Sequence, residues 1–345
     1  MTDKIRVLIV DDSALIRNML ADVFSASDEI EVVGMAADPY IARDKIKRLN
    51  PDVLTLDVEM PRMNGLQFLL NLMRLRPMPV VMVSTLTESG APETLEALEI
   101  GAVDFLEKPR ARSEEEFSQF AANLKEKVLM AARARVRPYT GNTIPRVRQT
   151  SAAEYHKLIC IGASTGGTEA IREVLNEVPA NCPPIVITQH IPEVFSASFA
   201  MRLDAALPME VLEARDGLEV CAGRVIIAKG NRHLTFRREQ HRIVCQLSDA
   251  ERVNRHKPSV DVMFDAFADV VSAKKIVAVM LTGMGRDGAE AMKRMHDSGA
   301  LTIAQDEATS VVWGMPGAAS EAGAVDHLIA LPKIAGRMLE AAQQA

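Results

Sequence analysis

The sequence predicts two doubly wound α/β domains, each built on a mostly parallel sheet. Three observations carry this reading. Short β-branched runs alternate with amphipathic stretches between Arg6 and Arg135, the pattern of βαβ units. The same alternation restarts after Tyr155 with LICIGA, PIVITQ and IVAVMLTG, each followed by helix-like sequence. A segment with the composition of a linker lies between them, and 345 residues amounts to a little over two domains at about 150 residues each.

In the first domain the predicted strands are Arg6–Val10, Glu31–Met35, Val53–Asp57, Val80–Ser84 and Val103–Leu106. RVLIV and VLTLD are apolar on both faces, as central strands covered by helices on both sides should be. Amphipathic helices are predicted near 14–26, 39–49, 65–75 and 91–100, with a longer one from Glu114 to about Arg135. From Lys127 to Ala153 there is no acid, while Lys127, Arg133, Arg135, Arg137, Arg146 and Arg148 are joined by Pro138, Gly141 and Pro145. This reads as a solvated basic linker, with docking to an acidic partner as a secondary possibility. The predicted division is 1–125, a helix end and linker over 126–153, and a second domain over 154–345. Within that domain the shorter runs RVIIAKG, HLTFRR and RIVCQL, spaced by polar turns over 209–247, suggest antiparallel hairpins inserted into the parallel core.

Composition narrows the function. Apolar residues are 48% and charged residues 25%, an ordinary globular mixture. Forty basic against 46 acidic side chains leave a net charge of −6, which argues against a nucleic-acid partner. Cys160, Cys182, Cys221 and Cys245 are far apart and carry no zinc-site spacing, so a disulfide scaffold and a structural zinc site are not expected. The opening apolar run Ile5–Val10 is too short for a signal segment, and no run of about 18 apolar residues occurs. A cytoplasmic, reduced protein without membrane insertion, monomeric by default, is the expectation.

Ligands of doubly wound sheets sit outside the carboxyl ends of the strands. In the first domain Asp11, Asp12, Asp57, Ser84 and Lys108 all fall there. Singly each has a bland reading: Asp12-Ser13 as a helix cap, Asp57 as a turn residue, Lys108-Pro109 as a loop. Jointly they place three carboxylates, a hydroxyl and an amine in one crevice. Crowded carboxylates repel unless a cation neutralises them, and an oxygen-rich, partly hydrated site suits Mg²⁺. With Lys108 also absorbing charge, one carboxylate could attack a phosphoryl group.

In the second domain Gly162-Ala163-Ser164-Thr165-Gly166-Gly167 joins a strand to a helix and satisfies G-x-S-x-G, a turn that can expose Ser164 beside a helix N-terminus. The competing reading is a phosphate-binding turn, but G-x-G-x-x-G is lacking and no acid ends the next strand. That strand, PIVITQ, runs into His190, which is therefore the candidate base; His233 and His256 follow on expected loops or hairpins. A carboxylate must orient the imidazole. Asp287, in the glycine-rich turn after IVAVML, is one candidate, although alone it reads as a helix N-cap. Asp306, after LTIAQ, is its main rival, while Asp261 and Asp265 sit in a helical pattern. The order Ser…His…Asp differs from that of the α/β-hydrolases.

VDDS, LDVEMPRMNG, MVST and FLEKP, in that order, resemble the receiver domain of two-component response regulators over residues 1 to about 125. The resemblance implies a (βα)₅ fold, Asp57 as phospho-acceptor, Asp11 and Asp12 as metal-site acids with the Glu59 carbonyl, Ser84 and Phe105 as switch residues beside Lys108, and a histidine kinase as phosphoryl donor. GASTGG, QHIP, KPSVDVMF and TGMGRDG make the second half similar to the catalytic domain of chemotaxis receptor methylesterases, which also deamidate receptor glutamines. This implies Ser164 as nucleophile, His190 as base and acid, Asp287 as orienting acid, and backbone N–H groups near Thr165 and Met284 as the oxyanion hole. It also implies methyl-accepting chemotaxis receptors as substrates, no cofactor for ester hydrolysis, and a receiver that inhibits until Asp57 is phosphorylated. A phospho-regulated DNA-binding protein would need a basic recognition helix. A non-catalytic binding module would use the Ser164 turn for an anion.

Overall fold

The computed structural model describes residues 4–85, 91–109, 113–136, 138–139 and 154–344. The chain divides into two compact units, Met1–Asn142 and Thr143–Ala345. Much of the basic segment, including Arg137, Arg146 and Arg148, lies outside the described residues.

The first unit has a five-stranded parallel sheet in the order β2-β1-β3-β4-β5. The strands are β1 (Ile5–Val10), β2 (Ile30–Ala36), β3 (Val53–Leu56), β4 (Val80–Ser84) and β5 (Asp104–Glu107). Val7, Leu8, Ile9, Leu54 and Val81 are fully buried, as two-sided burial of a parallel sheet requires. The helices are α1 (Ala14–Ser25), α2 (Pro39–Leu49), α3 (Gly65–Leu75), α4 (Ala91–Ile100) and α5 (Glu114–Ala131). Their starts follow capping chemistry: Asp38 accepts from the Ile41 N–H with Pro39 at the first helical position, and Asn64 accepts from the Gln67 N–H. Gly65 packs on the Asp57 backbone so closely that a Cβ there would lie 1.9 Å from the Asp57 carbonyl oxygen. That fixes the turn after β3.

The second unit has a seven-stranded sheet in the order β14-β13-β12-β6-β7-β9-β8, parallel throughout. Its strands are β6 (Leu158–Ala163), β7 (Ile185–Gln189), β8 (Glu210–Glu213), β9 (Arg224–Ile227), β12 (Ile276–Met280), β13 (Leu301–Gln305) and β14 (His327–Ile329). Covering it are α6 (Gly167–Leu175), α7 (Glu193–Ala206), α8 (Val260–Val270), α9 (Ala289–Asp297), α10 (Met315–Glu321) and α11 (Leu331–Gln343). The chain runs from β6 outward to β7 and later returns to β12 on the other flank of β6. The carboxyl end of β6 is thus the switch point where an open α/β sheet forms its crevice.

One detail of the 209–247 region differs from expectation. HLTFRR and RIVCQL do form an antiparallel hairpin, β10 (His233–Glu239) with β11 (Arg242–Ser248), as a separate two-stranded sheet. It packs on α8, with the Phe236 and Phe267 rings edge-on at 4.9 Å. The RVII run instead becomes β9, a parallel strand between β7 and β8. Val225, Ile226 and Ile227 are fully buried, and period alone does not distinguish such a run from a hairpin strand. Among the described residues, no helix is long and apolar enough to cross a membrane.

Candidate active site and acidic site

In the first unit the acids at the strand ends meet. Asp11, Asp12 and Asp57 each offer an oxygen within 4.8 Å of the others, with Asp11 and Asp57 buried and Asp12 exposed. Lys108 Nζ lies 2.6 Å from Asp57 Oδ2 and 2.8 Å from Asp11 Oδ2. Burial pushes the Asp57 carboxyl up to about 6, with Asp11 adding to the rise, against the opposing pull of Lys108 and a bond from the Glu59 backbone. Burial works against the Lys108 ammonium, yet its contacts with Asp11 and Asp57 outweigh that and keep it charged. Three convergent carboxylates are hard oxygen donors of the kind Mg²⁺ prefers.

Ser84 is buried at the end of β4, where its carbonyl accepts from the Lys108 N–H at 2.9 Å. Phe105 is buried in β5, with Lys127 Nζ 6.0 Å from its ring centroid and 2.7 Å from Asp104 Oδ2. Sequence reading missed Arg17, whose Nη1 donates to the carbonyls of Asp11 (2.7 Å) and Asp12 (2.9 Å), bracing the acidic turn from α1.

In the second unit Ser164 and His190 follow paired strands. The β6–β7 register matches Ala163 with Gln189, so Ser164 and His190 come next on adjacent chains. The His190 N–H donates to the Ala163 carbonyl at 3.1 Å, and the Ser164 N–H donates to the Thr282 carbonyl at 3.0 Å. Gln189 Nε2 donates to the carbonyls of Ser164 (2.9 Å) and His190 (3.2 Å), clamping both strand ends. Gly166 at φ 75° occupies the left-handed region, where a side chain would be strained. A Cβ on Gly283 would lie 2.9 Å from Ser164 Cβ, so the turn carrying Met284 abuts the serine. Thr282 Oγ1 donates to the Thr165 carbonyl at 3.0 Å, tying the two turns together.

His190 Nε2 lies 2.8 Å from Asp287 Oδ2. Its Nδ1 is buried and has no hydrogen-bond partner among the described residues. The Asp287 carboxylate, 1% exposed, also accepts from Asn254 Nδ2 (2.8 Å), Ser259 Oγ (2.8 Å) and the Val260 N–H (2.6 Å). Burial alone would raise the Asp287 carboxyl, but the bonds and charge of His190, with those of Asn254 and Val260, outweigh it and hold the group well below the usual carboxylate range. Asp287 does serve a helix terminus, as the N-cap reading foresaw, but that of α8 rather than α9. Its rivals are committed elsewhere. Asp306 caps its own turn through Thr309, Asp265 pairs with Arg294, and buried Asp261 accepts from the Ala291 N–H and Asn254.

Two further residues join the site: Asn254, which carries no motif that would have marked it, and His256, a secondary histidine candidate of the sequence. Asn254, at φ 52°, spends both amide hydrogens on two carboxylates, Asp261 and Asp287. His256 stacks flat on His190, with ring centroids 3.7 Å apart and planes 9° from parallel. His233 is structural: Nδ1 accepts from the Ser259 N–H, and Nε2 lies 2.9 Å from the Glu251 carbonyl.

An acid-lined parallel sheet in one unit, and a hydroxyl, an imidazole and a carboxylate on one sheet rim in the other, define a hydrolase domain joined to a response-regulator receiver domain. Comparisons with known proteins specify the class. Residues 159–338 match the CheB methylesterase family model, and residues 7–116 match the response regulator receiver domain model. A protein-glutamate methylesterase/protein-glutamine glutaminase 2 from Saccharophagus degradans is 52% identical over 342 residues, covering 97% of this chain and 98% of that protein. One from Hydrogenovibrio crunogenus is 47% identical over 370 residues, covering 97% and 98%. The crystal structure of the Thermotoga maritima CheB methylesterase catalytic domain aligns with TM-score 0.52 at 38% identity, covering 53% of this chain and 97% of that one. The chain belongs to the CheB methylesterase family, with a receiver domain in front of the catalytic domain.

Proposed function

We propose that the protein hydrolyses γ-glutamyl methyl esters on methyl-accepting chemotaxis receptors, releasing methanol, and deamidates receptor glutamines at the same site. Ser164 Oγ attacks the ester carbonyl while His190 Nδ1 takes its proton. Backbone N–H groups of Thr165 and Met284 receive the tetrahedral oxyanion. Its collapse breaks the carbon–methoxy bond, and the proton held on Nδ1 leaves with methanol. Water then attacks the acyl-serine, gives its proton to Nδ1, and glutamate departs as serine recovers the proton. A glutamine amide follows the same course with ammonia leaving. Asp287 keeps Nε2 protonated and stabilises the imidazolium, so the two ring nitrogens exchange the roles they have in the chymotrypsin arrangement. These steps need no cofactor.

One observation supports the reading: the imidazole is anchored through Nε2 to a buried carboxylate, while Nδ1, with no partner among the described residues, belongs to the residue that follows β7 just as Ser164 follows the paired end of β6. Methanol release from methylated receptor membranes tests it. Ser164→Ala should abolish release, and unchanged release rejects the nucleophile.

The receiver, taken as residues 1–125 with the helix end and linker over 126–153 and the catalytic domain over 154–345, holds the enzyme inhibited until Asp57 is phosphorylated by a chemotaxis histidine kinase. Asp11, Asp12 and Asp57 are the residues that would hold Mg²⁺, whose contribution when bound is to neutralise charge on the phosphoryl group. An Asp57 carboxylate oxygen attacks the phosphoryl group as its P–N bond to the kinase's phosphohistidine breaks and frees that imidazole, Lys108 balances the added charge, and Ser84 and Phe105 reorient to shift the population toward the active arrangement. The protein works in the cytoplasm as a monomer. A small-molecule phosphoryl donor should raise methanol release by the wild type and leave Asp57→Ala unaffected; equal stimulation of both would reject Asp57 as acceptor.

A further inference from the structure

The loop from Arg252 to Lys257 aims two side chains inward, Asn254 at Asp287 and His256 onto the face of His190. Arg255 lies between them, exposed, with its backbone at φ 69°, a conformation glycine accepts and arginine resists. Strained non-glycine backbone of this kind persists where its surroundings hold it, and it clusters at functional sites. Here Asn254 and Arg255 are the central pair of a tight turn closed by backbone bonds between Val253 and His256, at 3.1 and 2.8 Å, and the turn leaves the Arg255 side chain exposed at the site's edge. Arg286, also exposed, immediately precedes Asp287 on the opposite side of the Asn254–Asp287 bond. Each arginine is thus the chain neighbour of one partner in that 2.8 Å side-chain hydrogen bond.

Neighbouring acids leave this positive rim largely uncompensated. Asp261 and Asp287 are buried and turned to internal donors. Asp249 is taken by Lys257 and Arg232, and Glu193 lies 3.8 Å from Lys229. Glu290 lies 3.4 Å from Arg286 across a solvent-exposed pair, the weakest kind of ion pair. Among the described residues no carboxylate pairs with Arg255.

We propose that Arg255 and Arg286 form a carboxylate-reading rim, which binds acidic side chains flanking the target glutamyl group on the substrate. The inference rests on the function proposed above. Each turnover leaves a glutamate carboxylate behind, so wherever a second glutamyl ester lies three or four residues away on the same helix, that anion sits one turn from it. Guanidinium suits this task because its planar fork matches a carboxylate bidentately.

The test compares methylated receptor in membranes with p-nitrophenyl acetate, a small neutral ester, in Arg255→Gly, Arg286→Gln and the double variant. Glycine accepts the backbone at 255 while removing the charge. The ratio of kcat/KM for receptor to kcat/KM for the small ester should fall about two- to fivefold per arginine. The loss should lie in KM for receptor, and added salt should shrink the difference between wild type and variants. An unchanged ratio in the double variant overturns the proposal, as does an equal fall for both substrates, which would assign the arginines to holding the loop. Retained receptor hydrolysis in Ser164→Ala would instead reject the underlying hydrolase reading, a result independent of the arginine ratios.

Discussion

Replacing Asp287 with asparagine keeps its shape and removes its charge, which makes it the sharpest probe of the site. Oδ2 receives two donors, the Val260 N–H at 2.6 Å and His190 Nε2 at 2.8 Å. The Val260 N–H is backbone and cannot turn away, so the new amide nitrogen is driven to the Oδ1 position. There it meets Asn254 Nδ2 and Ser259 Oγ, each at 2.8 Å, with the Asp261 N–H at 3.4 Å. The Ser259 hydroxyl can rotate to accept. Asn254 can flip only by setting its oxygen against the Asp261 carboxylate, 2.7 Å from its present nitrogen. One or two buried donors therefore lose their acceptor, at about 1–3 kcal/mol each. Catalysis loses the negative charge facing the imidazolium, a fall in kcat on the order of 10²- to 10⁴-fold.

The stability gap has a predicted pH dependence. Asp287 is held below its ordinary range in the folded protein, so its stabilisation is present above the unfolded carboxylate value near 4 and is lost as pH falls below that. The difference between wild type and Asp287→Asn should be largest at neutral pH and close in acid. Methanol release and urea unfolding of the full chain measure the two effects. A variant that is destabilised but keeps kcat within about threefold of wild type would refute the assignment of Asp287 as the group that orients His190.

Further predictions follow from the same geometry. His256→Ala should lower kcat by freeing the His190 ring plane, and His256→Phe, which restores a flat stacking surface, should recover most of it in the same assay. In Gly167→Ala a Cβ would fall 2.1 Å from Gln189 Oε1, displacing the clamp on Ser164 and His190, so kcat should drop while the receiver still accepts phosphate. Because the folded Asp57 carboxyl sits at about 6, above its unfolded value, its cost to stability grows as pH rises from about 4 to 6. Asp57→Asn should therefore stabilise the receiver unit in EDTA at pH 7 by up to about 3 kcal/mol, read as a higher melting temperature, and no change would refute this. Cys160, Cys182 and Cys245 are buried with their thiols pushed up, to about 12 for the last two, so a thiol reagent should titrate Cys221 alone in the native protein and all four residues in urea.

Much of this protein was legible in its sequence because the signals are local. Short β-branched runs and amphipathic periodicity placed β4 at Val80–Ser84 and helices α2 to α4 where the structure has them. The acids after β1 and β3, Ser164 after β6 and His190 after β7 were found the same way, since a parallel sheet brings its strand ends to one rim. Tertiary structure alone decided the rest. RVII became a parallel strand because of the neighbours β7 and β8, which its own residues do not encode. Asp287 rather than Asp306 meets the His190 imidazole, and donors from the α8 start, far away in the chain, converge on its carboxylate. Which histidine nitrogen meets the acid, and the stacking of His256 beneath that ring, depend on a loop with two successive left-handed residues, Asn254 and Arg255. Local pattern encodes what each segment tends to become. Contacts between residues far apart in sequence appear only when packing selects among partners, and the chemistry of this site is made of such contacts.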